Sequence, residues 1–188
     1  MPTEIEAKMK VENLEPTRQR LRDRGAEQLS KAFETNIFFD TEKRELLAQD
    51  KSLRVRHERD ERDGAEKVKI TFKGPQLKGE LKSRDERELK VENLGDALAL
   101  FEGLGYRRTL TFQKRRESWK LEDCQIELDE LPNIGTFVEI EGPNEQAVMQ
   151  MRTLLELDQM PLIRRGYTAL LTEDLKKRNI NSGVITFK

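Results

Sequence analysis

The sequence has very few thiol or imidazole groups, with one cysteine, Cys124, and one histidine, His57. A single cysteine excludes a disulfide within the chain, and one cysteine with one histidine excludes a metal cluster built from thiolates and imidazoles. Any metal bound here is therefore expected to have carboxylate ligands, which suit Mg²⁺, Mn²⁺ or Ca²⁺.

Long apolar runs and an excess of one charge are also missing. No stretch approaches the roughly 20 apolar residues of a membrane-spanning helix, and residues 1–4 lack the basic and apolar regions of a signal peptide. The 35 basic residues balance 36 acidic ones, and aromatic residues make up only 6%. Neither feature indicates a surface for nucleic acid. We therefore expect a soluble, cytoplasmic protein that binds neither membranes nor nucleic acid.

Charged residues are abundant, at 38%, and they alternate with apolar ones as in strands. Glu4, Glu6 and Lys8 alternate with Ile5 and Ala7, so a strand here has a charged face and an apolar face. Strand-like alternation predicts eight strands: Glu4–Val11, Asn36–Asp40, Ser52–Arg59, Lys67–Lys73, Arg84–Val91, Thr109–Lys120, Gln125–Leu131 and Thr136–Glu141. Helical spacing predicts four helices: Pro16–Arg24, Gly95–Leu104, Asn144–Leu157 and Thr168–Arg178. The segments Asp60–Glu66 and Gln76–Lys82 are predicted to be mobile charged loops.

The chain also repeats a short pattern. Lys-Val-Glu-Asn-Leu occurs at residues 10–14 and again at 90–94, and Gly25 and Gly105 follow at the same offset. This indicates two related halves, about residues 1–80 and 81–188, each beginning with a strand that enters a helix. We predict one α+β domain spanning residues 1–188, a closed antiparallel β-barrel of about eight strands with helices packed outside.

The charged faces allow two interpretations. In an open antiparallel sheet they would face water, which is a common arrangement. In a closed barrel the outer helices need the apolar face, so the charges would line the lumen. The charged faces contain almost no Ser, Thr or Gln, which favours the lumen. Charges in a lumen are costly unless they pair with each other or contact a ligand. A closed barrel therefore predicts a highly charged ligand.

The signs of these charges indicate a metal-bound polyphosphate. The basic side chains that could surround phosphate oxygens are Arg54, Arg56, Lys73, Lys114 and Arg116. The carboxylates that would repel phosphate unless divalent cations stood between are Glu4, Glu6, Asp129, Glu139 and Glu141. Arg115 has the opposite parity within its strand, so we expect it outside the barrel.

The segment Glu4-Ile5-Glu6-Ala7-Lys8 resembles the N-terminal Glu-x-Glu-x-Lys signature of the CYTH superfamily, the triphosphate tunnel metalloenzymes. Further segments resemble the family in order and spacing: Leu53–Arg56, Thr71–Pro75, Glu86–Glu88, Lys114–Arg116, Glu127–Glu130 and Gly135–Glu141. Arg165-Gly166-Tyr167, before an apolar helix, is similar to the family's C-terminal segment. Together these segments cover nearly the whole chain.

The resemblance implies a Mg²⁺ or Mn²⁺ site and a small-molecule triphosphate, ATP or tripolyphosphate, as substrate. The implied metal ligands are Glu4, Glu6, Glu139 and Glu141, with Asp129 as a further ligand or base. The implied triphosphate-binding residues are Lys8, Arg54, Arg56, Lys73, Lys114 and Arg116. Lys8 and Asp129 are the expected catalytic residues. Glu86 and Glu88 match the family's central acidic strand, where they could hold metal or orient the basic residues. A homodimer is suggested by the resemblance alone.

The reaction depends on the nucleophile. The chain looks most like the class IV adenylate cyclase branch, in which the ribose 3′-hydroxyl of ATP attacks the α-phosphorus and pyrophosphate leaves. The alternative is a triphosphatase, in which water attacks the terminal phosphorus of inorganic, nucleoside or thiamine triphosphate. A noncatalytic polyphosphate-binding module is the remaining alternative, although the complete acidic set argues against it.

Overall fold

The computed structural model describes the backbone of residues 3–79 and 81–188 and, apart from residues 3 and 4, their side chains. Within these residues the chain forms nine strands and five helices. The strands are β1 (Thr3–Val11), β2 (Glu27–Asp40), β3 (Ser52–Asp60), β4 (Glu66–Gln76), β5 (Lys82–Val91), β6 (Arg107–Leu121), β7 (Cys124–Leu131), β8 (Gly135–Glu141) and β9 (Val184–Ile185). The helices are α1 (Glu15–Asp23), α2 (Glu45–Ala48), α3 (Leu94–Gly103), α4 (Glu145–Leu154) and α5 (Tyr167–Lys177).

The first eight strands close into an antiparallel barrel, in the order β2-β3-β4-β5-β1-β8-β7-β6. The pairing of β6 with β2 completes the circle, and β9 adds a short parallel pair on β6. The predicted closed barrel with helices outside is confirmed. The alternative of an open sheet with its polar face in water is wrong, because the sheet has closed around that face.

The apolar faces of the strands form the core outside the barrel, where the helices cover them. Leu21 of α1 and Val148 of α4 pack in one cluster with β-strand residues such as Ile126 and Ile140. Phe101 of α3 packs in a second cluster with strand residues that include Val55. The amphipathic helices thus bury their apolar stripes against the barrel wall and leave the charged strand faces inside.

Helix α5 covers an apolar end of the lumen. Leu110 and Phe112 lie on β6 with the same parity as Lys114, and all three line the central cavity. Leu171 and Leu175 of α5 pack in one buried cluster with Leu110 and Phe112. None of the helices in the described residues has the length and apolar character of a membrane-spanning helix.

The starts of β2 and β5 differ from the prediction. Strand β2 begins at Glu27 rather than Asn36. Residues 27–35 show no regular apolar alternation, so the sequence alone does not indicate a strand there. Long pairing with β6 holds this segment instead. Lys82, predicted to lie in a mobile loop, is buried and begins β5.

The short helix α2 was not predicted. The carboxylate of Asp40 accepts hydrogen bonds from the backbone N–H groups of Leu46 and Leu47, at 2.9 and 3.0 Å. These bonds satisfy donors at the helix start that have no partner within the helix. Because Asp40 lies at the end of β2, the bonds also tie the α2 segment to the rim of the barrel.

Replacement of Leu128 by alanine tests the position of the core. Leu128 is 1% exposed on the outer face of β7, so its truncation is expected to lower the free energy of unfolding by about 2–5 kcal/mol. Leu100 on α3 is 57% exposed, so Leu100→Ala is the matched control, with an expected change within about 0.5 kcal/mol. Urea unfolding measures both, and equal losses would contradict the placement of the core outside the barrel.

Candidate functional site

The lumen forms a cavity of about 1400 Å³, and all eight barrel strands contribute side chains to its wall. Among the described residues that line it, basic side chains outnumber acidic ones. The predicted phosphate-binding residues Lys8, Arg54, Arg56, Lys73, Lys114 and Arg116 all line this cavity. The structure thus brings together in one space basic groups that are spread over more than 100 positions of the sequence.

Glu34 lies at the centre of one cluster of these bases and is 1% exposed. Its carboxylate oxygens are 3.2 Å from Arg56, 3.3 Å from Lys114 and 4.0 Å from Arg116. Burial alone would raise the pKa of Glu34, but these cations outweigh burial and hold it well below its usual range. The sequence prediction missed Glu34. It shares the parity of Asn36, so extending the predicted strand by two residues would have placed it in the lumen.

Asp129 on β7 is fully buried and accepts hydrogen bonds from several donors. Arg116 donates from Nε to Oδ1 at 2.7 Å and from Nη2 to Oδ2 at 2.5 Å, which is a bidentate pair. The hydroxyl of Tyr167 donates to Oδ2 at 2.8 Å, and Lys114 Nζ is 3.4 Å from the same oxygen. Asp129 therefore fixes the guanidinium of Arg116 in the wall of the cavity.

A second cluster surrounds Lys8 on β1. Its Nζ is 3.0 Å from Glu139 Oε1 and 3.5 Å from Glu6 Oε1. Burial disfavours the ammonium ion, but Glu139 and Glu6 outweigh burial and raise the pKa of Lys8. Lys82 Nζ donates to Glu6 Oε1 at 2.5 Å, so the carboxylate of Glu6 lies between two ammonium groups. Lys82 was not among the predicted site residues.

Arg54 on β3 has an unsatisfied donor inside the protein. Its Nη2 donates to Thr71 Oγ1 at 3.0 Å, but its Nε is enclosed and has no hydrogen-bond partner in the described structure. Burial and the neighbouring guanidinium of Arg56 lower the pKa of Arg54 to about 10. An enclosed charged donor without a partner is costly. An anion in the cavity would offset the repulsion from Arg56 and the burial of the charge.

The remaining predicted residues are placed as follows. Glu86 and Glu88 of β5 line the cavity, 2.8 Å from Lys73 Nζ and 3.3 Å from Lys69 Nζ respectively. The prediction that Arg115 lies outside is confirmed, because its half-exposed side chain pairs with Glu130 at 3.2 Å on the outer face. The side chain of Glu4 lies outside the described part of the structure.

The predicted metal ligands have suitable chemistry and a common face. Glu6 and Glu141 are direct register partners between β1 and β8, and Glu139 lies two residues from Glu141 on the same face. Such facing pairs have Cβ atoms about 4.5–5.5 Å apart, and carboxylate oxygens suit Mg²⁺ and Mn²⁺. Among the described side chains no three carboxylate, histidine or cysteine groups are arranged to hold one metal ion. Glu6 and Glu139 are paired with bases instead.

Replacement of Glu34 by glutamine tests the charge cluster. The variant leaves buried Arg and Lys side chains without their shared carboxylate. The free energy of unfolding at pH 7 is therefore expected to fall by about 3–5 kcal/mol. The pKa of Glu34 lies below its unfolded value of about 4.3, so its stabilisation is complete above that pH and is lost as pH falls through the folded pKa. In urea unfolding the difference between the two proteins should therefore stay constant from pH 7 to about pH 5 and shrink from about pH 4.3 to pH 3.

Glu130→Gln is the matched control for this experiment, because Glu130 pairs with Arg115 on the exposed outer face. Its expected cost is about 0–1 kcal/mol. A Glu34→Gln variant as stable as this control at pH 7 would contradict the buried cluster.

The chain is similar in sequence and structure to known proteins. A curated protein of Methanocaldococcus jannaschii, named "Putative adenylate cyclase", is 28% identical over 176 residues, which are 89% of this chain and 97% of that protein. A solved structure from Pyrococcus horikoshii OT3 is 30% identical, with a TM-score of 0.79 over 90% of this chain and 98% of its own.

A more distant solved structure shares the fold alone. It is a Hippeastrum adenylyl cyclase candidate with a dominant triphosphatase activity, 18% identical with a TM-score of 0.67, covering 97% of this chain and 98% of that one. The model of the CYTH domain matches residues 2–165 of this chain. With this match over most of its length, the chain belongs to the CYTH domain family.

Proposed function

We propose that the chain is a metal-dependent enzyme that binds ATP in its tunnel and converts it to cyclic AMP and pyrophosphate. The main support is the convergence of basic side chains on one cavity, in which Arg54 Nε has no partner among the described residues. Family membership supports a triphosphate as the anion. The name of the Methanocaldococcus relative supports the cyclase reaction.

The bases lie on different walls of the tunnel, so they can contact several phosphate groups at once. Arg54 and Arg56 project from β3, Lys114 and Arg116 from β6, and Lys8 from β1. The guanidinium groups offer forked donors to phosphate oxygens, whereas the ammonium groups act as compact charges. A bound triphosphate would take over contacts that the lumen carboxylates now make with these bases.

Mg²⁺ or Mn²⁺ would be held by Glu6, Glu139 and Glu141, with Glu4 as a further ligand. When bound, such a cation neutralises charge on the phosphate oxygens and on the leaving group. Lys8 lies between Glu6 and Glu139, so it can meet a phosphate oxygen beside these carboxylates. Arg116, Tyr167 and Lys114 all contact the carboxylate of Asp129. We therefore propose that Asp129 orients these side chains and does not abstract a proton.

An apolar part of the cavity supports a nucleotide as substrate. Phe38, Leu110 and Leu175 line the cavity near the end that α5 covers. Adenosine has an apolar ring that such a surface can contact, whereas inorganic tripolyphosphate has none. The cyclase reaction requires the ribose to lie in the same tunnel as the phosphates, and this surface is continuous with the basic centre.

Hydrolysis of the terminal phosphate is the second candidate, and the size of the cavity favours it. Small-molecule pockets usually measure about 300–1,000 Å³, so the tunnel, at about 1400 Å³, has room for a nucleotide and water. Cyclisation has to keep that water from the α-phosphorus, whereas hydrolysis uses it at the terminal phosphorus.

Product analysis tests the proposal. The purified protein is incubated with ATP or inorganic triphosphate, each with Mg²⁺, Mn²⁺ or a chelator. Cyclic AMP and pyrophosphate are the expected products, formed only with metal. Orthophosphate without cyclic AMP would show that the protein is a triphosphatase and not a cyclase. Metal-dependent binding without turnover would leave a noncatalytic module, and no binding of either compound would overturn the proposal.

Glu6→Gln and Glu139→Gln test the metal ligands. Each is expected to weaken Mn²⁺ binding by at least about 10–100-fold, the loss found even for groups that only orient metal ligands. Electron paramagnetic resonance titration with Mn²⁺ measures the affinity without need of activity. Glu130→Gln, on the outer face of β7, is the control and should bind Mn²⁺ as the wild type does. Unchanged Mn²⁺ affinity in both lumen variants would refute this ligand assignment.

Arg54→Met tests the anion site. Loss of a charge-assisted hydrogen bond of about 1.5–3 kcal/mol should weaken tripolyphosphate binding about 10- to 150-fold, as measured by calorimetry. Arg115→Met removes the same charge from the outer face and should leave binding unchanged. If the two variants lose affinity equally, the effect is one of net charge and Arg54 does not contact phosphate.

A further inference from the structure

Tyr167, the first residue of α5, connects this helix to the charged centre of the tunnel. Its hydroxyl donates to Asp129 Oδ2 at 2.8 Å. Its ring meets Phe137 edge to face, with the ring centroids 5.2 Å apart, and this contact limits how the phenol can turn. Tyr167 also lines the main cavity. It is therefore a neutral aromatic group within a wall composed mainly of charged side chains.

The same ring lies beside two ammonium groups. Lys8 Nζ is 4.2 Å from the ring centroid and Lys114 Nζ is 5.5 Å from it, both within the range of a cation–π interaction. Lys8, Lys114 and Asp129 belong to β1, β6 and β7. One side chain thus contacts three predicted site residues that come from three different strands.

The residues before α5 also hold Lys8. Its Nζ donates to the backbone oxygen of Arg165 at 3.2 Å, and its own backbone oxygen accepts a hydrogen bond from Ile163 at 2.8 Å. Both ends of the Lys8 residue are therefore fixed by the segment that leads into Tyr167. The position of this ammonium group depends on α5 as well as on its own strand.

We propose that Tyr167 is a positioning residue, which sets the Asp129 carboxylate and the ammonium groups of Lys8 and Lys114 for binding the phosphates of the substrate. Its hydroxyl holds Asp129 Oδ2, the oxygen that Arg116 also contacts, so it acts on Arg116 through Asp129. Its ring holds Lys8 and Lys114 without neutralising them, because a cation–π contact leaves the ammonium protons available to an anion. The inference rests on the proposed triphosphate function.

Two substitutions separate the hydroxyl from the ring. Tyr167→Phe removes only the hydroxyl and is expected to weaken binding of Mg²⁺-tripolyphosphate about 3- to 10-fold. Tyr167→Leu also removes the ring and should weaken binding of Mg²⁺-tripolyphosphate about a further 2- to 5-fold. Tyr106→Phe is the matched control, since Tyr106 is the chain's other tyrosine and packs on Phe101 in the α3 cluster. It should bind as the wild type does.

Calorimetry gives the affinities, steady-state kinetics with ATP gives kcat and KM, and thermal unfolding without ligand shows whether each variant is folded. A positioning role predicts the graded order wild type, Phe, Leu in affinity, with KM rising in the same order while the Phe variant remains folded at the assay temperature. Wild-type affinity in a folded Phe variant and a folded Leu variant would overturn the role. If the Leu variant does not fold, wild-type affinity in the Phe variant alone overturns it.

The wild-type protein distinguishes the two levels of the proposal. If it binds neither tripolyphosphate nor ATP in the presence of metal, the proposed function fails and the positioning role fails with it. If it binds and turns over ATP while both Tyr167 variants equal it, only the positioning role fails.

Discussion

The desolvation of charge inside a closed barrel is the constraint on which the rest of the structure depends. Glu34 and Asp129 are almost completely buried, and an ion in such a place is costly unless it is paired and hydrogen-bonded. The bases around them meet this requirement, and they are also the groups that an anionic ligand needs. Binding of a triphosphate would therefore exchange one set of anionic partners for another, within a wall that is already arranged for negative charge.

The two faces of each strand have separate tasks. On β7, Leu128 packs into the outer core, whereas Asp129 next to it fixes Arg116 in the lumen. Because the outer face supplies the hydrophobic stabilisation, the inner face can hold charged groups that contribute little to hydrophobic stabilisation. Helix α5 combines the two roles. It packs apolar residues against one end of the lumen, and it also contacts Lys8 and Asp129.

The parity of a residue within its strand could be predicted from the sequence, because it needs only the alternation itself. Arg116 inside and Arg115 outside follow from this rule. Partners could not be predicted in the same way, since they depend on register between distant strands. Lys82 follows a glycine and lysine segment that resembles a loop, and its burial depends on Glu6, 76 residues away. Likewise the Arg-Gly-Tyr motif was visible, but the contacts of Tyr167 depend on how α5 docks.

The order of strands around the barrel has a consequence for how the protein forms during synthesis. Strand β1 lies between β5 and β8, although the strand that follows it in the chain, β2, is on the far side. On the ribosome β1 emerges before β5 and β8 have been synthesised. The backbone edges of this amphipathic strand therefore stay unpaired until those two strands follow. Pairings so distant in sequence slow folding. Since Glu6 and Lys8 meet Glu141 and Glu139 only across the β1–β8 pair, the tunnel is completed when the last barrel strand joins the first.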